Sequence, residues 1–102
     1  MPTNWVLQPQ EQPGTYRFDG NPYMTRGIHE ELSPEEIDFL ISQIHERVKS
    51  GNGADYLQVF VHSVSGRRIF VIDNLNDSSK TNASPGFINA NNYFTIMFAE
   101  EY

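Results

Sequence analysis

The chain has 102 residues, 38% hydrophobic and 13% aromatic, enough apolar material for one core and too little length for two. Seven basic residues against thirteen acidic ones give a net charge of −6, which argues against direct nucleic-acid binding and suits either solubility or docking on a basic partner. Cysteine is absent, which excludes thiol catalysis, thiolate zinc sites and iron–sulfur clusters and favours a reducing compartment, the cytoplasm.

Residues 1–20 read as an irregular arm, and residues 21–102 as a single domain. The stretch from Met1 to Gln12 holds Pro2, Pro9 and only a short apolar patch, Trp5-Val6-Leu7. It has neither the basic nor the apolar region of a signal peptide, and no stretch of the chain approaches 18 apolar residues, so no membrane contact is expected. Pro13-Gly14 marks a turn, and Gly14 to Phe18 a short extended piece with Tyr16 and Phe18 on one side. Asp19-Gly20-Asn21-Pro22 is a second turn. The segment Tyr23 to Ile28 reads as a first core strand or as an extended lead-in to a helix.

That helix has the fullest set of signals in the chain. Ser33 is the N-cap, Pro34 suits the first helical position, and Glu36 completes a capping box. Acids crowd its first turns and Arg47 and Lys49 its last, as the helix dipole favours, and Gly51 is the expected stop. Ile37, Leu40, Ile41, Ile44 and Val48 form one buried stripe.

Two alternating strands follow, about Tyr56 to His62 and Arg67 to Ile72, joined at Ser65-Gly66. The second is apolar on both faces, which predicts a central place in the sheet. A polar, Asn-rich loop from Asp73 to Asn92 precedes a last strand, Tyr93 to Ala99, apolar on both faces as well. The expected fold is α+β: one amphipathic helix packed on an antiparallel sheet of three to five strands, in the order β-α-β-β-β. One helix covers one face, so the arm, a second copy or a partner must cover the other.

Chemistry-bearing constellations are scarce. His29, His45 and His62 show no i, i+3 or i, i+4 spacing, so no metal or cofactor site is expected, and His45 at the border of the stripe is read as a hydrogen-bonded structural residue. Ser63 or Ser65 with His62 and Asp73 lacks a strand–elbow–helix setting, so no catalytic residue is assigned and the chain is read as a non-enzyme. Gly51-Asn52-Gly53 follows a helix rather than opening one, the wrong end for an anion. Arg67 and Arg68 should point to opposite faces, solvated or paired with Asp55 or Asp73.

The candidate binding patch is acidic. Glu30, Glu31, Glu35, Glu36 and Asp38 place five carboxylates within ten residues; the helix dipole and a solvated face account for three of them. At 100° per residue, Phe39 projects nearly opposite the apolar stripe, either as a partner anchor among these acids or as a ring covered by the chain's own arm. The long loop is a second candidate, as a protein or ligand contact.

Two segments, Tyr23-Met24-Thr25-Arg26-Gly27-Ile28 and Asp55-Tyr56-Leu57-Gln58-Val59-Phe60, resemble a small domain family of unknown function from Gram-positive bacteria and their mobile elements. The resemblance covers residues 23 to about 72; the family's Gln-Glu-x-Pro segment is replaced here by Asp73-Asn74-Leu75-Asn76. The tail from Phe94 to Tyr102 is similar to the end of small plasmid and phage proteins that close on Thr-Ile-Met-Leu-Ala-x-Glu-Tyr. Neither family carries an established activity, so no site residue transfers. The resemblance implies a phage or plasmid accessory protein in the bacterial cytoplasm, a class rich in inhibitors of host defence. The expected function is therefore an anti-CRISPR-like inhibitor that covers the basic surface of a nucleic-acid-binding defence protein. The alternatives are a self-associating module, with a homodimer burying the bare sheet face, and a small-ligand binder using the Asn-rich loop.

Overall fold

A computed structural model describes residues 3–102, and its described residues form a five-stranded sheet with four helices. The strands are β1 (Trp5–Leu7), β2 (Asn21–Met24), β3 (Leu57–His62), β4 (Arg68–Asp73) and β5 (Tyr93–Phe98). The helices are α1 (Arg26–Glu31), α2 (Pro34–Gly51), α3 (Asp77–Asn82) and α4 (Pro85–Asn91). The order across the sheet is β1-β3-β4-β5-β2, antiparallel except for the parallel pairing of β2 with β5. The α+β class stands, and β4, the strand with apolar side chains on both faces, is central.

The capping box of α2 forms as the sequence dictates: the Ser33 hydroxyl accepts from the Glu36 N–H, and the Glu36 carboxylate accepts from the Ser33 N–H. Its end differs from expectation by one residue. Gly51 is still helical, and the left-handed cap is Asn52 at φ 55°, whose N–H closes on the Val48 carbonyl. Asparagine tolerates this conformation better than most residues, and its side-chain oxygen accepts from Arg17, distant in sequence.

The expected irregular arm contains, among residues 3–20, a short strand and buried core side chains. Trp5–Leu7 pairs with β3, Trp5 facing His62 across the ladder, and Trp5 packs edge-on against His62 and beside Phe98. Tyr16 bridges to Ala54 and Asn76, and Phe18 is a fully buried core side chain. Gly14 allows that crossing: a Cβ there would fall on the Ala54 carbonyl oxygen. Phe18 itself has a positive φ of 52°, held by its N–H donating to Asp73 (2.9 Å) and by its carbonyl bonding His45 Nε2 (2.7 Å).

The Asn-rich segment from Asp73 to Asn92 is likewise not a loop. Asn76 caps α3 by accepting from the Ser79 N–H, and Ser84, followed by Pro85, caps α4 by accepting from Phe87. Upstream, Tyr23–Ile28 is neither a core strand nor an extended lead-in: the edge strand β2 ends at Met24, and Thr25 caps a separate helix, α1, by accepting from Ile28.

The core lies on one face only. Ile37, Leu40, Ile44 and Val48 of α2 pack with Ile28 against Phe60, Ile69, Val71, Phe94, Ile96 and Phe98 of the sheet. The registers place all of these strand residues on one face of the sheet. The alternate positions form rows on the far side: Val6, Val61 and Arg68; Val59, Phe70 and Met97; Leu57, Ile72, Thr95 and Tyr23. The core helix α2 packs on the other face; the arm pairs along the sheet edge through Trp5–Leu7, and its residues Pro9–Gln12 border only the Leu57 and Val59 end of these rows.

Candidate functional site

The six acidic-patch residues do not act as one surface. Glu30 is paired with Arg26 one turn back at 3.2 Å, and Glu31 with Arg67 at 2.6 Å. Glu36 is held in the capping box. Phe39, expected opposite the buried stripe, is half-buried and packed against the core, so it is not a free-standing anchor. That leaves Glu35 and Asp38, both exposed and, among the described residues, in no ion pair. Helical spacing continues their ridge through Ser42 to the exposed Glu46 and Lys49.

Arg67 and Arg68 point to opposite faces, as alternation requires, yet neither meets Asp55 or Asp73. Arg67 lies 3.9 Å over the Phe98 ring and bridges Glu31 to Glu100, tying the end of α1 to the turn after β5. Arg68 is exposed at the start of β4, the one charge among the strand residues of the uncovered face.

That uncovered face was legible as a problem in the sequence, but its residues were not singled out as a site. Val59, Phe70 and Met97 occupy its centre as one cross-strand row, each half-buried. Tyr23 stacks on Tyr93 at 4.9 Å and stays 52% exposed; Phe70 meets Tyr102 edge-on at 5.8 Å. A solvated antiparallel sheet normally carries polar side chains at these alternate positions. The signal was in the parity: β4 and β5 are apolar at odd and even positions alike, and β3 is apolar at its odd ones.

Two acids at the ends of the Asn-rich segment's contacts shift in opposite directions. Burial pushes the Asp73 carboxyl above its ordinary range, and the N–H groups of Phe18 and Asn74 and the Lys80 charge only partly offset this. Burial also raises Asp19, but the Lys80 ammonium at 2.7 Å and the Asn92 amide outweigh it and hold that carboxyl below its ordinary value. Asp19 borders an open cleft of about 540 Å³ with Gly20, Pro85, Ile88, Asn89 and Asn92, where Asn92 Oδ1 is buried with no donor. Among the described residues no cluster of three His, Asp or Glu could hold a metal ion, and no helix is long and apolar enough to cross a membrane.

His62, His45 and His29 remain apart. His62 Nδ1 accepts from the N–H groups of Val64 and Ser65 and so shapes the β3–β4 turn, while His45 holds the Phe18 carbonyl. No family model, no curated protein and no solved structure matches the chain.

Proposed function

We propose that the chain is a non-enzymatic binding protein that acts by protein–protein contact, meeting a basic partner with the outer ridge of α2. The observation that supports this is where the charge is spent. Arg17, Arg26, Arg67 and Lys80 are each engaged by the chain's own acids, and none of their partners lies on α2. Glu35 and Asp38 therefore carry unpaired charge outward near the start of a rigid 18-residue helix, with Glu46 further along beside Lys49. Such a ridge steers association with a cationic surface, and acts chiefly on the rate of encounter. A partner of this kind is a nucleic-acid-binding protein of a host defence system, and the sequence resemblance to mobile-element proteins puts the encounter in the bacterial cytoplasm.

The test is capture of the tagged chain from bacteria that carry defined defence systems, with the double reversal Glu35→Lys/Asp38→Lys alongside. The expected outcome is a stoichiometric complex that weakens with salt, its association rate slowed at least about tenfold by the double variant, in line with loss of electrostatic steering. A complex indifferent to salt and to both substitutions refutes the role given to this ridge.

A further inference from the structure

The bare face of the sheet has its own occupant, and we propose that it is a second copy of this chain, packed face to face across a two-fold axis. The proposal does not depend on the basic partner.

The first argument is area. The five strands hold 3, 4, 6, 6 and 6 residues. At about 3.3 Å of rise and about 4.8 Å of strand spacing, each residue tiles roughly 16 Å², so the face covers about 400 Å² in plan. Val6, Tyr23 and Tyr102, which are 50%, 52% and 81% exposed, stand out from that plane or border it. Two such faces in contact remove upwards of about 800 Å² from their planes alone, and these side chains carry the sum toward the roughly 1,000 Å² at which specific interfaces begin.

The second argument is chemistry. Val59, Phe70, Ile72 and Met97 offer no donors or acceptors, and Arg68 is the sole charge on the strands of this face, at its end. The face is apolar at its centre and carries only uncharged hydroxyls toward one margin, on Thr95, Tyr23 and Tyr93, so it is complementary to another flat apolar sheet, and its own twin meets that description.

The third argument is that the other route to self-association is closed. In β2 the inward bonds come from Asn21 and Thr25, so Pro22 turns its missing N–H to the outer edge of the sheet. At the opposite edge β1 is three residues long and runs into Pro9 two residues after its end. Short, proline-blunted edges discourage strand addition, which leaves the face.

The net charge of −6 on each copy does not forbid the pairing. Face-to-face packing puts the two α2 layers outermost, on the order of 30 Å apart if each layer step is about 10 Å. That is roughly three Debye lengths at 0.1 M salt, so the acidic ridges of the two copies scarcely repel.

Sedimentation velocity on the full chain tests the proposal. The expected wild-type result is a mass of twice 11.7 kDa at roughly 100 µM, dissociating on dilution through the micromolar range expected of a small interface. Salt raised from about 0.1 to about 0.5 M should leave the dimer intact or tighten it. Phe70→Lys at the centre and Tyr23→Glu at the exposed margin should each weaken dimerisation, by at least about tenfold for the central variant, with native circular dichroism. Tyr23 is exposed enough for its variant to fold even if Phe70→Lys does not. A wild-type chain that is monomeric throughout overturns the proposal, as does a dimer that survives both substitutions or breaks only with Glu35→Lys/Asp38→Lys. A monomer that still captures a basic partner removes the dimer alone; a dimer that captures none upholds it and removes the proposed function.

Discussion

Replacing Phe18 by glycine should damage the protein less than replacing it by alanine, the reverse of the usual order. The side chain is 1% exposed and meets Phe94 edge-on at 5.9 Å, so deleting the ring costs about 3–5 kcal/mol in either variant. What separates the two is the backbone at φ 52°. An L-residue in the left-handed region costs about 1–2 kcal/mol, which glycine escapes. Glycine loses about 0.4–1 kcal/mol more chain entropy on folding. The difference favours glycine by roughly 1 kcal/mol, provided the Phe18 peptide groups stay clamped between Asp73 and His45. Urea unfolding followed by circular dichroism, in sulfate buffer to keep both variants folded, gives the two midpoints. An alanine variant as stable as the glycine variant, or more so, would show that the left-handed turn at residue 18 is not a feature of the folded chain.

Two further outcomes follow from the same region and its neighbours. Trp5→Ala should cost about 3–5 kcal/mol in thermal or urea unfolding, because the indole is buried against His62 and Phe98; a loss under about 1 kcal/mol would return residues 3–8 to a dispensable arm. Asp19→Asn should lower stability at pH 7 by less than about 1 kcal/mol, since the Asp19–Lys80 pair is largely solvated at the carboxylate. Because the folded Asp19 titrates below its ordinary value, that difference is present above the ordinary range and disappears as pH falls through the depressed one; a gap that widens on acidification would contradict the pairing. Asp73, raised by burial, contributes with the opposite sign, its stability present at low pH and lost as pH rises through its folded value; the Asp19 charge adds to that raise, so Asp19→Asn also relieves part of it.

The elements that could be read from the sequence are those fixed by local chemistry. Ser33, Pro34 and Glu36 dictate the start of α2 regardless of what surrounds it, and the stripe from Ile37 to Val48 names its buried side. The alternation in β3 and β4 gives their pairing and the central place of β4. What was not legible depends on contacts distant in sequence. Trp5–Leu7 is too short to show a period, and becomes a strand only because β3 offers it an edge. The segment from Asp73 to Asn92 was read by its composition, although Asn76 and Ser84 each stand three residues before the N–H they cap, the spacing of a helix start. Phe39 was assigned by rotation about an isolated helix axis; in the folded chain it packs against the core. The acidic run was legible as charge but not as pairing, because Arg67 reaches Glu31 across 36 positions of sequence.

The two surfaces left over are distinguishable by salt as well as by mutation, and their opposition constrains the biology. The α2 ridge carries charge without apolar area, and the far face of the sheet carries apolar area with almost no charge. Added salt screens the first and spares or strengthens the second. They also lie on opposite sides of one layer, so using one does not obstruct the other. A dimer through the sheet would display two acidic ridges pointing apart, unable to grip one small basic site together and suited instead to bridging two partners or two sites. Avidity would then depend on the spacing of those sites, with no gain where they lie closer than the thickness of the sandwich. A monomer would have to leave Val59, Phe70 and Met97 open to water at alternate positions where serine, threonine or lysine would serve the fold equally well, and that excess of apolar side chain is what the paired arrangement explains.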